Sequence, residues 1–212
     1  MINFIETYGV FFDKPSQPDY IIVSARQRSG SSTLSSSLGG HPCTLNGNEI
    51  WSDNASQDIL RGHTYTSLSN QEIRKNPHAF LSEIHDDICH MARNNGYIDS
   101  SCSKCTVVVK MFDIHHLSEE GIIDLMSDKD ISFVVLERDV QKEYCSLQLA
   151  HEKGDWGTTP SDHKKENNEY QCDTVSESFA WEHNAWFYFI RTELRKKGFL
   201  LMFRLMLFLL VK

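Results

Sequence analysis

The chain has few of the residues that break or staple a fold: five prolines and six cysteines among 212 residues. So little proline, with 40% hydrophobic and 24% charged residues, excludes a collagenous or disordered chain. The cysteines stand at 43, 89, 102, 105, 145 and 172, too sparse to serve as a disulfide framework for this length. The opening MINFIETYGVFF lacks a basic region ahead of its apolar residues and lacks a cleavage pattern, so it does not read as a signal peptide. A reducing, cytoplasmic setting is expected. Positive charge is also in deficit, with 21 Lys and Arg against 29 Asp and Glu, a net charge of −8. That argues against general nucleic-acid binding but leaves room for a local basic pocket that takes a small anion.

What is present is enough for one domain with a real core. YIIVS at 20–24 reads as a buried strand and gives way at Ser31 to a helix-like SSTLSSSL. Residues 41–51 (HPCTLNGNEIW) read as loop, punctuated by Pro, Asn and Gly. Residues 77–95 carry Phe80, Leu81, Ile84, Ile88 and Met91 at helical spacing, with Pro77 in the first turn. TVVVK at 106–110 and ISFVVL at 131–136 are two further strands. Between them lies a short helix that Ser118 can cap. A polar helix starts near Asp139, a polar loop fills 152–173, and a long amphipathic helix covers 174–197 up to Gly198. Apolar strands separated by helices predict an α/β domain over 1–198, a three-layer sandwich with a central parallel sheet flanked by helices. The tail at 199–212 (FLLMFRLMLFLLVK) is too short for the ~20 residues that span a bilayer. It reads as a final buried strand, a membrane-interface segment or an aberrant end, and the first and last of these are preferred.

In a parallel sheet, ligands bind beyond the carboxyl ends of the strands. The first strand exits through Arg26-Gln27-Arg28-Ser29-Gly30-Ser31-Ser32-Thr33. A tight turn and a helix opening on hydroxyl residues present backbone N–H groups and the positive end of the helix dipole to an anion. Arg28 adds a forked cation. This is not the G-x-x-x-x-G-K-[ST] loop of the nucleoside triphosphatases, because Ser31 follows Gly30 and no lysine occurs between Lys14 and Lys75. The third strand exits at Glu137-Arg138, and Ser146 follows eight residues later. An arginine and a serine two helical turns apart can hold one phosphate from two sides, although alone the pair also fits a solvated surface.

Taken together, these two exits resemble the PAPS-dependent sulfotransferases. Arg28-Ser29-Gly30-Ser31-Ser32 matches their 5′-phosphosulfate loop, with Thr33 continuing its hydroxyl run, and Arg138 with Ser146 matches their 3′-phosphate site. Further matches point toward the Stf0/NodH-like carbohydrate sulfotransferases: Gly40-His41-Pro42, Glu49-Ile50-Trp51, Lys110, Gly154-Asp155-Trp156 and Trp181-Glu182. The resemblance implies a P-loop-like fold, PAPS as donor and a hydroxyl or amine of a carbohydrate or glycolipid as acceptor. It makes Glu49 the candidate general base, Arg28 a charge stabiliser, and Lys110 either a second charge stabiliser or a plain strand-end lysine. No metal is expected at such a site. A non-catalytic nucleotide- or anion-binding relative is the alternative. Glu137 stands beside the 3′-phosphate arginine and would weaken that site unless it points away. Cys102 and Cys105 form a CxxC without a second pair at zinc spacing and read as loop thiols. His85, His90, His115 and His116 read as surface or structural residues, and Asn54-Ala55-Ser56 as a glycosylation sequon of use only on a secretory route.

Overall fold

A computed structural model describes residues 6–9, 17–51, 68–154, 172–197 and 203–206. The sequon at 54–56, Asp155, Trp156, most of the 152–173 loop, Gly198 and the tail apart from 203–206 lie outside the described residues.

Six strands form one sheet: β1 Glu6–Gly9, β2 Tyr20–Ala25, β3 Thr44–Asn48, β4 Thr106–Phe112, β5 Ile131–Glu137 and β6 Phe203–Met206. Their spatial order is β3-β4-β2-β5-β1-β6. The four strands β3, β4, β2 and β5 are parallel, and β1 runs antiparallel to both β5 and β6. The helices are α1 Ser31–Leu38, α2 Asn70–Lys75, α3 Pro77–Asn94, α4 Glu119–Leu125, α5 Val140–Lys153 and α6 Glu177–Lys196.

Alternation along the strands buries both faces of the sheet. Ile22, Val107, Val109, Met111, Phe133 and Val135 turn to one face, where α3, α4 and α6 add Leu81, Ile84, Leu125, Phe187 and Ile190. Val23, Ala25, Val108, Phe112 and Leu136 turn to the other, against Leu34 and Leu38 of α1. The α/β reading therefore holds, with a four-stranded parallel core.

Three readings are corrected. Residues 41–51 are not all loop, because β3 lies inside them and pairs with β4 through a bulge. The punctuating Asn46-Gly47-Asn48 is that bulge: Asn46 faces Val108, Asn48 faces Val109, and Gly47 has no partner in the register. The short strand at 106–110 continues to Phe112, so Lys110 lies within β4 and not at its end.

The third correction concerns cysteine. Cys43–Cys102, Cys89–Cys105 and Cys145–Cys172 are disulfides, with Cα–Cα distances of 5.5, 6.0 and 5.3 Å. The CxxC cysteines thus bond to two different distant partners. Cysteine content gives no support to a reducing compartment once the thiols are paired. Among the described residues no helix is long and apolar enough to cross a membrane.

Candidate active site at the strand exits

The parallel register brings four strand ends to one edge. Ala25 of β2 stands beside Phe112 of β4 and Leu136 of β5, so the chain leaves all three strands side by side. The chain leaves β2 through α1 for β3 on one side, and leaves β5 through α5 and α6 for β6 on the other. The opening between β2 and β5 is thus a topological switch point, where an α/β sheet leaves a crevice.

That crevice is a cavity of about 370 Å³. Its lining includes Arg28, Gly30, Ser31, Ser32 and Thr33 from the first exit, Arg138 and Ser146 from the third, and Glu49, with Gln27 and Phe112 beside them. Arg28 takes a positive φ of 63° and Gly30 one of 95°, which turns the chain sharply into α1. Gly30 caps α1 without a side-chain hydrogen bond. The first helical bond runs from Leu34 N–H to the Gly30 carbonyl, leaving the amides of residues 31–33 outside the helical ladder.

The two exits touch. Arg28 Nε donates to Ser146 Oγ at 3.1 Å across 118 residues of sequence, and Arg138 Nη1 donates to the Arg28 carbonyl at 2.6 Å. Burial lowers the Arg138 pKa; Glu143 opposes that shift, and the charge of Arg28 adds to it. Two guanidinium groups at one cavity favour an anion there. Glu137 turns away to pair with Arg191 at 3.1 Å, so it does not neutralise Arg138. Ser29 departs from expectation: its side chain is buried beneath the loop, outside the cavity lining, with no partner for Oγ among the described residues.

Lys110 is buried and reaches the site. Its Nζ donates to Glu49 Oε1 at 2.8 Å and to Ser32 Oγ at 3.2 Å. A lysine thus meets the anion loop from a neighbouring strand, although none follows Gly30 in sequence. Glu49 sits on the step out of β3, just beyond the bulge, and Asn48 with φ of 53° helps aim it. Burial pushes the Glu49 carboxyl up, but the His115 ring and the Lys110 ammonium outweigh that and hold it at about 2. The resting site therefore has an ionised, weakly basic Glu49, not one raised toward neutrality.

His115 is the main residue missed from sequence. It is buried on the 3₁₀ turn Asp113–His115 after β4, with Nε2 4.0 Å from Glu49 Oε2. Nδ1 accepts the Phe112 backbone N–H at 3.2 Å, which places the ring proton on Nε2, toward Glu49. The signal that would have found it is the exit of β4 at the same sheet edge.

Behind the pocket lies a buried network around Arg26. Its Nε is 2.9 Å from Asp113 and 3.8 Å from Glu143, and its guanidinium lies 4.5 Å from the Phe179 ring centre. Burial lowers the His183 pKa, and its Nε2–H donates to the Arg138 carbonyl at 3.2 Å. Of the late Trp-Glu pair, Trp181 is exposed and Glu182 reaches Arg26 at 3.7 Å. Compared with known proteins, the chain matches no family model, no curated protein and no solved structure.

Proposed function

We propose that this chain is a sulfotransferase of P-loop-like three-layer architecture, moving a sulfuryl group from PAPS to a hydroxyl or amine of a carbohydrate or glycolipid. The observation that supports it best is the meeting of two distant strand exits at one cavity. Arg28 and residues 30–33 can hold a 5′-phosphosulfate, while Arg138 and Ser146 can hold a second phosphate beside it. A donor with phosphates on both the 3′ and 5′ positions uses both halves of this site. A nucleoside triphosphate uses only one.

In the proposed reaction the acceptor oxygen attacks sulfur in line while the sulfur–oxygen bond to the 5′-phosphate breaks. Negative charge moves to the leaving phosphate, where Arg28, Lys110 and the amides of residues 31–33, outside the helical ladder, meet it. The acceptor proton passes to Glu49. At a pKa of about 2 that carboxylate is a poor base, and its partner Lys110 also touches the anion loop at Ser32. A bound phosphosulfate competes for the Lys110 charge, which loosens the pair and raises the basicity of Glu49. His115, with its proton on Nε2 facing the carboxylate at 4.0 Å, stabilises the Glu49 charge and does not itself accept the proton.

The closed Glu49–Lys110 pair favours a second reading, a nucleotide-binding relative without turnover. Transfer of radiolabelled sulfate from PAPS to a panel of sugars separates the two. Glu49→Gln is expected to lower turnover by about 10²–10⁴ while nucleotide affinity persists. Arg28→Ala is expected to lower both, because its charge faces the donor before and during transfer. Tight nucleotide binding with no transfer to any acceptor supports the relative, and an undiminished Glu49→Gln rate removes Glu49 from the mechanism.

A further inference from the structure

We propose that His85, Cys89 and Cys105 form a zinc site that the Cys89–Cys105 disulfide masks, at the sheet edge opposite the anion pocket. The inference is independent of the donor pocket.

His85 and Cys89 lie one helical turn apart on α3, on the same face, and Cys105 immediately precedes β4. A ring nitrogen of His85 and the two sulfurs all lie within 4.8 Å of one another, and Nε2 is 3.6 Å from Cys89 Sγ. Zinc bonds of about 2.0–2.3 Å set ligand atoms within roughly 4 Å of one another, so small movements suffice once the sulfurs part. Both cysteines are buried, and His85 is half-buried. The outer ring atom is also suited to the task. Nδ1 lies 3.3 Å from Asp86 Oδ1, a carboxylate that can accept its proton and leave Nε2 to bind metal. Nε2 also lies 3.3 Å from the Cys105 carbonyl, which sets the ring against the third ligand's own residue.

An entry path is present. His85 opens onto a second cavity, of about 230 Å³, whose lining includes Asp19, Asp86, Asp128 and Asp130. Four carboxylates around one mouth draw in a divalent cation. Asp19 Oδ1 is 4.0 Å from His85 Nε2 but paired with Lys104 at 2.8 Å, so water takes the fourth position. Unmasking is a two-electron step: a phosphine and one water convert the disulfide to two thiols and leave the phosphine oxide. Zinc then displaces two thiol protons as it binds both sulfurs. Disulfide or metal, either link ties α3 to the start of β4.

The test takes the full chain, reduced with a water-soluble phosphine and freed of it without air, and titrates it with Co(II). One equivalent is expected to release two protons and give tetrahedral d–d bands with a sulfur-to-cobalt charge-transfer band, which one equivalent of Zn(II) then abolishes with no further proton release. The oxidised chain is expected to give none of these. His85→Gln is expected to remove the tetrahedral bands, and Cys43→Ser to leave them unchanged. Asp86→Asn, at an exposed position that carries no fold-bearing contact with the core, is expected to weaken binding by about 10-fold or more. Circular dichroism of each sample reports the fold. A reduced chain without the charge-transfer band, folded or not, overturns the proposal. So does a His85→Gln chain that binds cobalt as wild type does, since bare thiols of an unfolded chain would behave that way.

Discussion

Glu49 and Glu143 are two carboxyls displaced in opposite directions by their neighbours. Glu49 keeps His115 and the Lys110 ammonium as partners and is held at about 2, so its contribution to stability is present above the ordinary value of 4.5 and lost as pH falls toward 2. Glu143 is buried, and neither carboxyl oxygen has a hydrogen-bond partner among the described residues. Burial pushes it up to about 8, against the pull of Arg26. The folded protein keeps this proton up to about 8 while the unfolded chain releases it near 4.5, so stability falls as pH rises between those values. Glu143→Gln keeps the shape without the titration. The Tm of wild type relative to Glu143→Gln is therefore expected to fall between about pH 5 and pH 9, and parallel curves would show that Glu143 is ionised in the fold. Arg28, Arg138 and Ser146 were legible in sequence because their chemistry sits at strand ends, which apolar runs reveal. His115 and Glu143 were not. Their roles come from burial against partners on other strands and helices, and no local pattern encodes that.

Among the elements, the β3 bulge does the most to shape the site. A Cβ on Gly47 would stand 2.9 Å from the Val108 carbonyl and from a methyl of each of Val107 and Val109. Only a bare α-carbon lets β3 lie against β4 there, and the bulge then directs Glu49 toward Lys110. Gly47→Ala is expected to cost about 1–3 kcal/mol in denaturant unfolding, from overpacking against backbone. It is also expected to lower turnover more than nucleotide affinity, since Arg138 and Ser146 lie on β5 and α5. Unchanged unfolding would mean that β3 can shift freely. Several helices were legible through their ends: Ser118 and Asp139 each cap the next helix with a side-chain oxygen, and Pro77 opens α3, whereas α2 was not read from sequence. β3 was not, because Asn-Gly-Asn carries the same signal in a bulge as in a turn. The disulfides were not either. Cys43 and Cys102 are 59 residues apart, and only the pairing of β3 with β4 brings them together.

At the scale of the whole molecule, a chain of net charge −8 concentrates two arginines and a buried lysine at one sheet edge. The arrangement follows from strand order. β2 and β5 are neighbours in space though far apart in sequence, and Arg28, residues 30–33, Arg138 and Ser146, which follow them, line the same opening. The central claim is that this opening reads two separated phosphates. The most direct test is calorimetric titration of the full chain with 3′-phosphoadenosine 5′-phosphate, adenosine 5′-phosphate and ATP. The bisphosphate is expected to bind tightest, because an added charge-assisted phosphate contact contributes about 1.5–3 kcal/mol, or roughly tenfold and more. Arg138→Ala and Ser146→Ala are expected to shrink its advantage over the 3′-hydroxyl nucleotide. Preference for ATP, binding of none of the three, or equal losses for both adenosine nucleotides in these variants would contradict the account.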